Sequence, residues 1–126
     1  MATDAREKYQ RAERRGHASE SLAALWLRLK GYRILARRLK TRAGEIDLVA
    51  AAPFGPICFI EVKARATVAS AAGSVAPAQQ TRIARAASLY LAGRPHLSRR
   101  GARFDIVAIG ARAWPVHHRD VWRADI

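Results

Sequence analysis

Residues 44–65 read GEIDLVAAAPFGPICFIEVKAR, two strand-like runs on either side of a turn. Ala52-Pro53-Phe54-Gly55-Pro56 has turn chemistry, while Glu45–Ala50 and Ile57–Ala64 are dominated by residues that suit strands. A hairpin is the expectation. Successive side chains of a strand point to opposite faces. Glu45 and Asp47 should therefore share one face, with Ile46 and Leu48 on the other. In Phe59-Ile60-Glu61-Val62-Lys63 the same alternation groups Glu61 with Lys63 and places Ile60 and Val62 behind them. Pairing the two runs brings acids and an ammonium to one side of a sheet and leaves the other side apolar for a helix. The chain has only ten Asp and Glu, so three of them inside such strands require a physical reason.

Carboxylates gathered this way repel one another. At 4 Å two like charges oppose each other by about 1 kcal/mol in water, and by more in a poorly solvated cleft. Protonation of one acid, an ion pair with Lys63, or a divalent cation would relieve the repulsion. One or two carboxylates, completed by water and substrate phosphate, form a ligand set that Mg2+ accepts. Such an ion would polarise a phosphate and acidify a water. Lys63 would then orient that water or stabilise charge growing on the phosphate. An isolated E-x-K is weak evidence, because Glu and Lys alternate on many solvated sheet faces. The acid on the preceding strand and the charge of the whole chain favour a cation site.

That charge is large. The 126 residues carry 23 Lys and Arg against 10 Asp and Glu, a net charge of +13, and nineteen of the basic residues are Arg. The planar guanidinium fork matches phosphate oxygens, so the bias points to nucleic acid. Arg37, Arg38, Lys40, Arg42, Arg65 and Arg82 are the candidate phosphate contacts. DNA is the expected partner, and an RNA- or ribosome-associated role stays open on charge alone. An Arg-rich solvated surface is the plain alternative. With 50% apolar and 26% charged residues, the composition is that of one globular domain. Residues 1–15 alternate charges and read as a frayed helix or flexible arm, leaving 16–126 as the domain. No run of eighteen apolar residues occurs and the N-terminal MATDAREKYQRAERRG is charged throughout, so neither a membrane span nor a signal peptide is expected. One cysteine, Cys58, and no zinc-type Cys/His spacing point to a reduced, cytoplasmic setting.

From Ala18 the periodicity is helical, with Ala18, Leu22, Leu25, Trp26 and Leu29 on one face and Glu20, Ala24 and Leu27 on the opposite line. Gly31 ends the helix. Tyr32–Ala36 reads as a strand and Arg37–Arg42 as a basic turn before the GEID run. Residues 66–77 read as a loop. Ile83, Ala86, Ala87, Tyr90 and Leu91 form the stripe of a second helix, stopped at Gly93-Arg94-Pro95. Arg103–Ile109 is a further strand, and Trp114–Trp122 suggests an edge strand. The order α-β-β-β-α-β implies an α/β fold with a mixed sheet flanked by helices.

Gly44-Glu45-Ile46-Asp47-Leu48 followed by Phe59-Ile60-Glu61-Val62-Lys63-Ala64-Arg65 resembles the PD-(D/E)XK nuclease superfamily. More narrowly, the chain looks like the YraN family of small bacterial proteins, which are similar to Holliday-junction resolvases. The likeness runs from about Gly16 to Ile109 and takes in Glu20, Gly31-Tyr32, Gly73, Tyr90-Leu91 and Arg103-Phe104-Asp105. It implies a restriction-endonuclease-like core and a Mg2+- or Mn2+-dependent endonuclease acting on DNA, with branched or structured DNA preferred. It implies Asp47, Glu61 and the main-chain carbonyl of Val62 as metal ligands, Lys63 as the catalytic lysine and Glu20 as an auxiliary acid. Glu45 matches the pattern without a defined role. Two positions depart from it. Arg38 stands where the pattern has Asn, and Gln79-Gln80 stand near the place where it often has Lys, so both glutamines are auxiliary candidates. The alternative function is a nucleic-acid-binding protein that keeps the nuclease fold without its activity. A homodimer is compatible with either. Outside this core, His117-His118 reads as an edge pair and Trp114 and Trp122 as packing residues; within it, Asp105 reads as a structural acid paired with an Arg.

Overall fold

The structure is a computed structural model that describes residues 2–64, 74–110 and 114–124, with side chains from residue 16 onward. The helix α1 (Ala2–Leu29) is followed by β1 (Arg33–Thr41), β2 (Gly44–Ala51) and β3 (Ile57–Ala64). Then come α2 (Pro77–Ala92), the single turn α3 (Pro95–Ser98), β4 (Ala102–Ile109) and β5 (Val116–Trp122). The five strands form one sheet in the order β1-β2-β3-β4-β5. Neighbours are antiparallel except β3 and β4, which are parallel. A parallel pair needs a crossover connection, and α2 lies within it. The result is a mixed α/β architecture compatible with a restriction-endonuclease-like core. Among the described residues no helix is long and apolar enough to cross a membrane.

Both sheet faces are covered. Under α2 lie Val49, Ile57, Phe59, Phe104 and Ile106 with Ile83, Ala87 and Tyr90. Under α1 lie Leu48, Ala50, Cys58, Ile60 and Val107 with Ala23, Ala24 and Leu27. This explains the nearly unbroken apolar run of β3, since a central strand buried on both sides needs no polar alternation. Cys58 is wholly buried there, its thiol pushed up to about 12 by desolvation and by the nearby Asp105 charge.

Three expectations are corrected. The broad apolar stripe of α1 is not its core face: Leu22, Leu25 and Leu29 are exposed, while Glu20, Ala23, Ala24 and Leu27 are buried. Alanines let the helix approach the sheet closely, and Trp26 meets Trp114 outside the core at 5.6 Å between ring centroids. Second, Arg37–Arg42 is not a turn, because β1 continues to Thr41 and pairs Arg37 with Leu48 and Lys40 with Glu45. The actual turn is held by Thr41, whose Oγ1 donates to the Gly44 carbonyl and accepts from the Ala43 and Gly44 N–H groups. Third, Ile46 and Leu48 do not share a face. Ile46 joins Leu39 in the α2 cluster, whereas Leu48 lies under α1. Alternation slips by one residue at the facing pair Arg38 and Asp47, and Arg38 has φ 51°, a left-handed conformation unusual for a residue with a side chain.

The last two strands are locked by one acid. Asp105 is fully buried and receives Arg103 Nε at 2.9 Å, Arg103 Nη2 at 2.8 Å, the Asp120 N–H at 2.9 Å and His117 Nε2 at 2.7 Å. An ionised carboxylate only accepts, so the His117 proton sits on Nε2 and the Nδ1 lone pair receives Lys30 Nζ at 2.7 Å. Arg103 also donates to the Tyr32 hydroxyl at 2.8 Å, tying α1's exit to β4 and β5. His117 lies on the edge strand β5 as expected, but its side chain is buried against Asp105, and Asp105 pairs with an Arg as expected. Burial pushes Asp105 upward, but His117, Arg103 and the Asp120 N–H prevail and hold it at about 2. Its folded value is depressed, so its stabilisation is present above the ordinary value of 3.8 and is lost as pH falls through about 2. Asp105→Asn should destabilise the fold by about 3 kcal/mol at neutral pH, read by urea unfolding, because it leaves a guanidinium and an imidazole without their buried partner.

Candidate active site

The ladder between β2 and β3 runs from Ala51 opposite Ile57 to Leu48 opposite Ile60. One residue further on β2 the chain carries an acid. Asp47 Oδ2 accepts the Val62 N–H at 2.8 Å, so a carboxylate takes the place of the next backbone acceptor. In an extended strand a residue's N–H and C=O point to the same neighbour, which turns the Val62 carbonyl toward Asp47 as well. Beside it on β3, Glu61 Oε1 lies 3.6 Å from Lys63 Nζ. The first turn of α2 supplies Gln79, whose Nε2 donates to the same oxygen at 3.3 Å. Asp47, Glu61, Val62, Lys63 and Gln79 therefore gather where β2 and β3 part.

Glu20 approaches from the inner face of α1 and is 8% exposed. Its Oε2 is buried without a hydrogen-bond partner, although Arg38 Nε stands 3.4 Å away as an ion-pair contact. Arg38 also meets His17 Nε2, and Arg37 Nη2 donates to Ser21 Oγ at 2.7 Å. These links fasten α1 to β1 over the site. The left-handed backbone at Arg38 explains the Asn of the pattern it resembles, since Asn tolerates that conformation and Arg does so at a cost of about 1 kcal/mol.

The other candidates are placed differently. Glu45 is exposed and faces Lys40 across the strand pair, acting on Asp47 through charge. Gln80 does not reach the acids; its Nε2 donates to the Val75 carbonyl at 3.0 Å and fixes the entry to α2. Lys40, Arg42 and Arg82 are exposed. A Cβ on Gly44 would sit 3.6 Å from that of Arg82, which places Arg82 beside the β1–β2 turn that holds Arg42. Arg65 lies outside the described residues. Sequence reasoning missed His17, whose only signal was its place one helical turn before Glu20.

Burial raises the pKa of all three acids of the site. Glu61 is pushed up to about 7 by burial and then by the Asp47 charge, with Lys63 and Gln79 opposing. Burial also raises Asp47, against the Val62 N–H and Lys63. Glu20 is raised by burial and by Asp47, with Arg38, His17 and Arg37 opposing. Acids held this way, with one buried oxygen lacking a hydrogen bond, fit a cation. Among the described residues no three His, Cys, Asp or Glu side chains cluster as a metal site. The fitting set is accordingly two carboxylates, Asp47 and Glu61, with the Val62 carbonyl and water, which suits a hard ion that keeps part of its hydration.

Fold and site together define a small mixed α/β protein with an acid pair and a lysine at diverging strand ends. Residues 19–109 match the profile of the Uncharacterised protein family UPF0102, and the chain belongs to that family. It is 50% identical over 121 residues to a UPF0102 protein of Paramagnetospirillum magneticum, covering 93% of both chains. It is 51% identical over 123 residues to one of Agrobacterium fabrum, covering 97% of this chain and all of the relative.

Glu61 has a folded pKa above its ordinary 4.5. Its contribution to stability is therefore full below 4.5 and lost as pH rises through about 7. Without divalent ions, the Tm of the wild type minus that of Glu61→Gln should decline steadily across this window. A flat difference would mean that the carboxylate titrates normally.

Proposed function

We propose that the protein is a divalent-cation-dependent endonuclease of the PD-(D/E)XK type that hydrolyses DNA phosphodiesters, with branched or structured DNA preferred. The observation that carries this reading is the convergence of Asp47, Glu61 and Lys63 at the point where the β2–β3 ladder ends. The resemblance of the GEID and EVK segments to the YraN family supports the same reading. So does the net charge of +13, which would draw a polyanion to the acid pair.

Asp47, Glu61 and the Val62 carbonyl would hold Mg2+ or Mn2+. When bound, the ion polarises the scissile phosphate and lowers the pKa of water. The chain's own groups do the rest. Gln79 and Lys63 hold the Glu61 carboxylate in one orientation, and the Val62 N–H does the same for Asp47. Lys63 Nζ stands 3.6 Å from Glu61, so its ammonium would orient water for in-line attack and stabilise charge on the phosphate oxygens. Hydrolysis then needs no covalent enzyme intermediate. Glu20, paired with Arg38 at 3.4 Å and raised by the Asp47 charge, would act as an auxiliary acid in that charge balance. Arg37, Lys40, Arg42 and Arg82 would contact the phosphate backbone, a role that makes affinity fall steeply with salt.

Nicking of supercoiled plasmid with Mg2+ or Mn2+ tests this. Glu61→Ala and Lys63→Ala should each lose at least about 100-fold in rate, while metal-free binding to the same DNA persists. Equal weak cutting by wild type and both variants would reveal a contaminant and defeat the proposal. Binding without cutting by any form would favour a module that only holds nucleic acid.

A further inference from the structure

The far end of the acid-bearing hairpin carries a feature that the hydrolytic site does not use. Phe54 is completely exposed, at 108% of its reference area. It also has φ 53°, at the position of the Ala52–Gly55 turn that ordinarily takes Gly or Asn. A bulky residue there is unfavourable both in solvation and in backbone conformation.

The turn that presents it is held rigidly. Gly55 N–H donates to the Ala52 carbonyl at 3.2 Å, and Ala52 N–H to the Pro56 carbonyl at 3.0 Å. Arg100 reaches across from the segment before β4, with Nη2 2.7 Å from the Ala52 carbonyl and Nε 3.0 Å from the Gly55 carbonyl. Pro53 packs so closely on the helix exit that a Cβ at Gly31 would come within 3.2 Å of it. The ring is thus presented on a fixed support, which reduces the ordering that binding would demand. Beside it opens a groove of about 480 Å³ lined by Phe54, Pro53, Arg33 and Arg100, with no acid among its lining residues.

We propose that Phe54 is a base-stacking wedge that engages an unstacked base of single-stranded or branched nucleic acid, with Arg33 and Arg100 supplying positive potential for the adjoining backbone. Every base offers a face for an exposed aromatic ring, and apolar wedges enter between base steps where stacking is interrupted. A second copy of this chain is a poor occupant, because each copy carries +13 and the groove contributes only more positive charge. At about 3.3 Å per strand residue, Phe54 lies roughly 20 Å along the hairpin from Asp47. That is about six base steps at roughly 3.4 Å each. The wedge would therefore read a structural irregularity at a set distance from the phosphate held by the acids.

This assignment rests on nucleic acid being the ligand of the acidic site, so the test separates the two. Binding is measured by fluorescence anisotropy in EDTA, using a four-way junction, a single-stranded oligonucleotide and a linear duplex. Phe54→Asn removes the ring and suits the left-handed turn, so its Tm should equal or exceed that of the wild type. It should bind the junction and the single strand about tenfold more weakly, with duplex affinity within about twofold. A 2-aminopurine at the junction branch should change its emission on binding wild type and not on binding the variant. Unchanged affinities, or an equal loss on all three probes, would overturn the wedge and leave the nuclease proposal standing. Junction binding with the wedge signature but no cutting would defeat the nuclease proposal alone. Failure of the wild type to bind any probe would overturn both. Self-association of the wild type that Phe54→Asn abolishes, with nucleic-acid affinity unchanged, would instead make the ring a contact between copies.

Discussion

The site depends on a single substitution of one hydrogen-bond acceptor for another. Between β2 and β3 the backbone ladder ends at Leu48 and Ile60, and the next N–H on β3, that of Val62, goes to the carboxylate of Asp47. A buried N–H must be satisfied, so the acid is needed structurally at the place where the strands separate. The same end of the ladder sets Asp47 beside the Val62 peptide and next to Glu61 and Lys63. An apolar residue at 47 would leave the N–H orphaned. The same atoms that end the sheet pairing therefore create the ligand set.

The two groups of buried acids behave oppositely, and the contrast separates structure from site. Asp105 is surrounded by a guanidinium, an imidazole N–H and a backbone N–H, and it stays ionised down to about pH 2. Glu61 has one ammonium at 3.6 Å and one amide at 3.3 Å, and Asp47 pushes its proton affinity up to about 7. Desolvation acts on both acids. Among the described residues only the first has enough donors to offset it. Carboxylates left short of donors next to one another are a common sign of chemistry rather than scaffolding.

Much of this could be read in the chain, and the failures have identifiable causes. The order of elements along the chain follows from its periodicities and turn residues, and the grouping of Glu61 with Lys63 follows from alternation in a strand. The face of α1 was not legible, because its larger residues point outward and its alanines face the sheet. Hydrophobic periodicity weighs a leucine more than an alanine, whereas a helix lying close on a sheet favours the smaller residue. The slip of alternation at Arg38 and Asp47 was also hidden, since nothing in an arginine's identity announces a left-handed backbone. The choice between Gln79 and Gln80 required coordinates, because consecutive helix residues differ by about 100° in direction. His117 could be placed on an edge strand, but not its partners, because Lys30, Tyr32 and Asp105 come from separate parts of the chain.

Cys58 is the chain's only cysteine and is completely buried between α1 and the sheet, with a thiol raised to about 12. The thiolate is the species that reacts with alkylating reagents and disulfides. In the native state this sulfur is therefore silent toward maleimides and iodoacetamide, and oxidation offers no route to linking two chains through it. A cysteine introduced anywhere on the surface becomes the single addressable thiol, so dyes or spin labels can be attached to the native protein without first removing the natural residue.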